Sequence, residues 1–273
     1  RLVDPPTVDR QGGAEMSRVG VILLSLLLSC TAGFAAPSPA EAGYEELFKQ
    51  VRTTSWALYL RETGGIRAVC SSTAFHSDTV KTYLLTAGHC VIGNDMKRTD
   101  MMVTQDHRMF FPAQLHKSGL IPRKNTRDNS ASMDDYQGND WAILVADVGQ
   151  RPTLALGSST DLSIGEDLIM VGVPFGLDFL AVQGVVGSTD VSMSTLVWNH
   201  YFGANIFVAG GNSGGGVVST KQKKVVGIVN AGPGPQSSMM VFMPVKLLPV
   251  DVLSPPKAGN NTSPTSEMDH AHP

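Results

Sequence analysis

GGNSGGGVVST, at residues 210–220, sets five glycines around one serine and runs directly into an apolar, β-branched stretch. Glycine lets the backbone take conformations barred to other residues and brings amide groups close to whatever lies against the turn. A phosphate cradle would need Gly-Lys-Ser/Thr and then a helix. Neither follows, because GVVST reads as a strand. From this stretch alone, a plain glycine-rich turn stays open.

Short β-rich runs recur on both sides of it, at 56–60, 68–75, 83–86, 109–115, 141–145, 167–173, 180–186, 216–219, 225–229 and 239–243, with Gly, Pro, Asn or Asp in most gaps. Many short strands with few helical stretches predict an all-β sandwich or barrel instead of an alternating α/β sheet. Tyr44, Leu47, Phe48 and Val51 fall at helical spacing, so a short amphipathic helix is expected ahead of the strands. The polar interval 118–139 reads as an exposed loop. Beyond Leu253 the sequence turns to Ser, Pro, Asn and Gly, a tail over 254–273 that is not expected to pack. No internal repeat, heptad pattern or appended domain is visible, and the main domain is expected over 44–253.

The 273 residues are 42% hydrophobic and 16% charged, and 21 Lys plus Arg against 24 Asp plus Glu leave a net charge of -3. That is enough chain for one large domain or two small ones. It argues against the basic footprint of a nucleic-acid binder. It also excludes a disordered or collagen-like chain.

Residues 1–15 are polar, precede the first methionine, Met16, and are expected to lie outside the native fold. From Met16 the chain reads as a signal peptide over 16–36: Arg18 supplies the positive start, 19–28 the apolar run, and Ala35 and Ala36 the small residues for cleavage. The run is about half of the ~20 residues that spanning needs. A secreted or periplasmic protein is therefore expected. A membrane tether, through an uncleaved leader or through Cys30 in a lipobox-like LLSC string, is the alternative. Removing the leader leaves Cys70 and Cys90, an even pair in an exported chain, read as one disulfide in preference to two buried thiols.

Two distant segments bear on the glycine-rich turn. TAGHC, 86–90, places His89 directly after the apolar run YLLT, and NDWAIL, 139–144, places Asp140 directly before another. A serine hydroxyl is a poor nucleophile at neutral pH and needs an imidazole to take its proton. The imidazole in turn needs a carboxylate to fix its tautomer and stabilise its charged form. His89, Asp140 and Ser213 can supply these roles, each at the edge of a strand. Asp134 and Asp135 are rivals for the carboxylate, but no apolar strand follows them.

In this order the three segments resemble the chymotrypsin-like, or trypsin-fold, serine proteases. VGVPFGLDFLAVQGVVGS, 171–188, with GNSGGGVV and VVGIVNAG after it, is similar to the bacterial HtrA-like branch. The likeness runs from about 56 to 248. It implies two six-stranded antiparallel β-barrels with the active site in the cleft between them. His89 then matches the general base, Asp140 its orienting carboxylate and Ser213 the nucleophile. The amides of Gly211 and Ser213 match the oxyanion hole. Cys70 and Cys90 match a disulfide beside the histidine in animal trypsins, which HtrA-like enzymes generally lack. Asn212 stands where animal trypsins carry an aspartate that pairs with a freshly cut N-terminus, so no activation by N-terminal insertion is expected. Nor is the peptide-sensing regulation of a PDZ-like domain after Leu248 expected.

By the same carry-over the substrate pocket is expected from Phe207, Val208, Ala209, Gly210, Asn230, Ala231 and Gly232, with Phe207 where trypsin has its basic-selecting aspartate and Met240 on the opposite wall. None of these is charged, so cleavage after small or medium apolar residues is expected. His76, His107, His116 and His200 form no metal-ligand spacing; for His270 and His272, in the tail beside Asp269, a solvated tail is preferred to metal scavenging, and no metal or cofactor is expected. Trp56, Trp141 and Trp198 are read as barrel packing. The function read from the sequence is an exported serine endopeptidase acting on proteins or peptides. A catalytically silent protease-like binding module is the alternative, and an esterase a third. The order His, Asp, Ser and the strand after the serine speak against an α/β-hydrolase.

Overall fold

The structure is a computed structural model, and it describes residues 39–62, 64–91, 100–123, 133–193, 197, 199–234 and 236–253. The upstream segment 1–15, the signal peptide expected over 16–36, Cys30, Trp198 and the tail with His270 and His272 lie outside the described residues. Helix α1 (Pro39–Thr54) is the amphipathic helix expected from its spacing. Leu47 and Val51 are buried, and Tyr44 and Phe48 pack against the same cluster.

Six strands follow: β1 (Ser55–Glu62), β2 (Gly65–Ser77), β3 (Thr82–Thr86), β4 (Met101–Thr104), β5 (Phe111–Pro122) and β6 (Tyr136–Ala146). They close into a barrel in the order β1-β2-β3-β6-β5-β4. The pairing of β3 with β6 aligns Thr86 with Ala142 and Leu85 with Ile143. The end of β3, which leads to His89, therefore lies beside the stretch of β6 in which Asp140 sits, inside the strand and not before it.

The second half has β7 (Asp167–Gly172), β8 (Leu180–Val191), β9 (Tyr201–Asn205), β10 (Val208–Ala209), β11 (Gly216–Ser219), β12 (Lys224–Ala231), β13 (Gln236–Ser237) and β14 (Met240–Pro244), then a short helix α2 (Val250–Leu253). Six of these strands close a second barrel in the order β11-β12-β14-β9-β8-β7, while β10 and β13 pair separately. The double barrel expected from the sequence is thus the architecture. Both barrels lie within one compact unit that begins at Gly43.

The apolar face of nearly every strand is buried. One cluster joins the barrels, with Trp56, Leu58, Leu84, Leu144 and Trp141 from the first and Ile169, Val218, Val225 and Ile228 from the second. Each such side chain contributes about 1.5–3 kcal/mol by leaving water. A second cluster, including Met170, Phe202, Met240 and Phe242, belongs to the second barrel, where the Phe202 and Phe242 rings meet edge-on at 5.6 Å.

Part of the expected loop at 118–139 is strand. β5 continues to Pro122 and β6 starts at Tyr136, with Leu120 opposite Gly138 and Ile121 opposite Gln137. Register shifts at Leu115/Lys117 and Ser118/Leu120 interrupt the alternation that would have marked this strand in the sequence. Strands β4 and β9 also escape the sequence reading. The first is only four residues long and buried throughout, which leaves no two-residue period to see.

Cys70 in β2 and Cys90 in the turn after β3 form a disulfide, with a Cα separation of 6.0 Å and a sequence separation of 20. Closing a loop of that length in the unfolded chain stabilises the fold by about 3 kcal/mol. Replacing both cysteines by alanine is expected to lower the melting temperature by roughly 6–12 °C for a domain of this size. A melting curve of the double variant that overlays the parent would contradict this.

Candidate active site

Asp140 has a fully buried carboxylate, and both of its oxygens are directed at one residue. Oδ1 accepts the main-chain N–H of His89 at 2.8 Å, and Oδ2 lies 2.8 Å from His89 Nδ1. A carboxylate can only accept, so Nδ1 carries the proton and Nε2 presents its lone pair on the opposite side of the ring. His89 stands in the turn Gly88–Cys90. Its side chain keeps 25% of its exposure, against 0% for Asp140. The partly exposed imidazole is thus held from behind by a fully buried carboxylate. Asp134 and Asp135 lie in a separate turn, Met133–Asp135.

Ser213 lies on the loop between β10 and β11, and that loop is tied down almost residue by residue. Gly214 has φ of +83°, and a Cβ there would sit 2.1 Å from Thr86 Oγ1 and 2.3 Å from the Ser71 carbonyl. Gly211 has φ of +100°, and its Cβ would sit 2.2 Å from the Val173 carbonyl. Both positions therefore require glycine, for conformation and for space. Ser71 supplies two of the ties. Its N–H donates to the Ser213 carbonyl at 2.8 Å. Its hydroxyl donates to the Gly211 carbonyl at 2.8 Å and accepts from the Val173 N–H at 3.0 Å. The Phe175 N–H donates to the Gly210 carbonyl at 2.6 Å. The carbonyls of residues 210, 211 and 213 are thus all engaged, while the amides of Gly211 and Ser213 donate to no acceptor in the hydrogen bonds among the described residues.

A pocket of about 260 Å³ opens beside Ser213, lined by Phe175, Val208, Ala209, Gly210, Val229, Ala231, Gly232 and Gly234. No lining residue is charged. Val208, Ala209, Gly210, Ala231 and Gly232 are among the residues expected there from the sequence; Phe207, Asn230 and Met240 stand elsewhere. Phe207, in the link between β9 and β10, lines a different hollow of about 440 Å³, together with Tyr44 and Asp167. Met240 is fully buried in the second barrel. Asn230 points away from the pocket, toward the Asp140 main chain. Phe175, Val229 and Gly234 were not read from the sequence. Asn212 is a buried neutral amide whose Oδ1 has no hydrogen-bond partner among the described residues.

Cys70, His89 and Cys90 bring two sulfurs and a ring nitrogen within 4.8 Å of one another, but the sulfurs are bonded to each other and offer no thiolate. The other described histidines have local partners. His107 shares a 2.8 Å hydrogen bond with Tyr59, His200 faces Asp190 at 3.1 Å, and His76 and His116 both pack on the Tyr83 ring.

Residues 70–228, more than half of the chain, match the family profile of the trypsin-like peptidase domain. The chain belongs to that family. Among curated relatives it is 31% identical over 146 residues to a protein of Pseudomonas fulva (strain 12-X) named "Probable periplasmic serine endoprotease DegP-like", covering 54% of this chain and 26% of that protein. A protein of the same name from Halomonas elongata is 34% identical over 76 residues, 28% of this chain and 16% of the relative. The chain thus spans well under half the length of these relatives. Among solved structures, an HtrA-type protease AlgW with a tripeptide superposes with a TM-score of 0.57 at 20% identity, covering 75% of this chain and 60% of that one. The decapeptide complex of AlgW gives 0.58 at 19%, covering 75% and 64%. These two likenesses show the fold.

Proposed function

We propose that the chain is an exported serine endopeptidase that cleaves peptide bonds through an acyl-enzyme. The observation that carries this is the buried Asp140 carboxylate, placed 2.8 Å from both the amide and the ring Nδ1 of His89. Ser213 Oγ attacks the carbonyl carbon of the scissile bond while His89 Nε2 takes its proton. The amides of Gly211 and Ser213 donate to the oxyanion as it forms. His89 then returns the proton to the departing amine, the C–N bond breaks, and the acyl group stays on Ser213. Water attacks that ester by the same steps and frees the acid. The engaged carbonyls of residues 210, 211 and 213 support this reading, since a loop so fixed presents its amides in one orientation.

A fluorophosphonate probe tests the reading directly, because only an activated serine reacts with it. Stoichiometric labelling of Ser213 in the folded protein, lost on denaturation, is the expected result. No labelling would favour a silent binding module.

The uncharged pocket beside Ser213 supports cleavage after small or medium apolar side chains. In a peptide library, Ala or Val before the cut is expected to outrun Arg or Asp by at least tenfold, since an unpaired charge in such a pocket costs more than 1.4 kcal/mol. Equal cleavage after arginine would overturn it. Export rests on the signal-like stretch 16–36 and on the periplasmic naming of the relatives. No helix among the described residues is long and apolar enough to cross a membrane.

A further inference from the structure

Asp140 belongs to the first barrel, yet both polar groups of its main chain are held by the second. Its N–H donates to the Tyr201 hydroxyl oxygen at 2.9 Å, and its carbonyl accepts from Asn230 Nδ2 at 2.7 Å. Tyr201 opens β9 and is 0% exposed, and Asn230 lies in β12 and is 3% exposed. Asn230 is also where the β12–β14 ladder slips, since Val229 pairs with Phe242 and Ala231 with Val241. A bulge re-aims the side chain of its extra residue. Here it sends the amide toward Asp140, while Asn230 Oδ1 accepts the Met243 N–H at 2.9 Å and fixes which end is the donor.

The preceding residue on β12 holds the other half of the site. The Val229 carbonyl accepts the Gly214 N–H at 2.7 Å, and the Val229 N–H donates to the Gly215 carbonyl at 3.0 Å. Val229 therefore grips the Ser213 loop, and its neighbour Asn230 grips the carboxylate residue behind His89. One peptide step on β12 spans the two.

We infer that Tyr201 and Asn230 are positioning residues that set the placement of the Asp140–His89 pair relative to Ser213 by tying the Asp140 main chain to the barrel that carries the nucleophile. This rests on reading His89, Asp140 and Ser213 as the catalytic triad. Burial and the nearby Asp140 charge push the Tyr201 phenol well above its ordinary titration range, so it stays a neutral hydroxyl at working pH. Neither residue lines the pocket beside Ser213. Their effect is on alignment, where a shift of about 1 Å costs on the order of a hundredfold in rate.

The test is a double-mutant cycle with a peptide substrate, comparing Tyr201→Phe and Asn230→Ala in the parent and in an Asp140→Asn background. Rates are divided by the folded fraction from near-ultraviolet circular dichroism. In the parent each substitution is expected to lower kcat by roughly 10- to 100-fold with KM nearly unchanged. In the Asp140→Asn background, where the aligned carboxylate is already gone, each is expected to cost less than about twofold. Equal falls in both backgrounds, or no fall in the parent for either variant, would overturn the positioning role while leaving the triad in place. Full activity of Asp140→Asn on its own would instead remove the triad reading, and this inference with it.

Discussion

Ser213→Ala is expected to lower kcat by about a millionfold while leaving the fold intact. The substitution deletes one oxygen from a half-buried side chain. It leaves the backbone ties of the loop in place, since Ser71 bonds the Ser213 carbonyl and Val229 bonds Gly214 and Gly215. What disappears is the atom proposed to bond to the acyl group, and nothing else in the pocket lining can replace it. His89→Ala should cost about as much, and the double variant little more, because nucleophile and base act as one unit. The measurement is steady-state cleavage of a peptide substrate, with fluorophosphonate labelling as a check on contaminating protease. A Ser213→Ala protein within tenfold of the parent would disprove the nucleophile assignment.

Asp140→Asn comes next, at about ten-thousandfold in kcat. The Asp140 carboxylate receives two donors from His89, the main-chain N–H and Nδ1–H. An amide has one acceptor oxygen, so it can serve only one of them. If the oxygen keeps the main-chain N–H, the amide NH₂ faces Nδ1 and obliges it to accept. The ring proton then moves to Nε2, the nitrogen that has to take the proton from Ser213. If the amide flips, a buried main-chain N–H is left unpaired, at a cost of about 1–3 kcal/mol. Either way the base is wrong or the turn is loosened. Steady-state kinetics together with a melting curve separate the two outcomes, and a kcat within tenfold of the parent would refute the assignment.

The segments of the proposed triad could be picked out in the sequence because each is local. An apolar run ends in TAGHC, another begins at NDWAIL, and glycines crowd around Ser213; each can be read within a few residues. The double barrel followed from the many short strands together with the resemblance those segments carry. The residues that hold the segments together are of another kind. Ser71 meets Gly211 across 140 positions, Tyr201 meets Asp140 across 61 and Asn230 meets Asp140 across 90. No periodicity or composition marks such a partner in advance. The pocket was legible in part, for a related reason. Carrying a family's walls over by segment names nearby stretches, but the local backbone path decides which side chains face in, and Phe207, Asn230 and Met240 face elsewhere. The bulge at Asn230 was the one local irregularity that could have hinted at its role, and a single sequence gives no register in which to see it.

The adjacency of Val229 and Asn230 on β12 has a further consequence. The strand works as a ruler with two marks one residue apart, one for each half of the proposed site. Inserting or deleting a single amino acid there cannot be absorbed by a nearby turn, because restoring one mark displaces the other by a full residue spacing. Tolerance to length change should therefore be lower in β12 than in the turn just before it, at residues 220–223, where the chain crosses the surface with neither mark to keep.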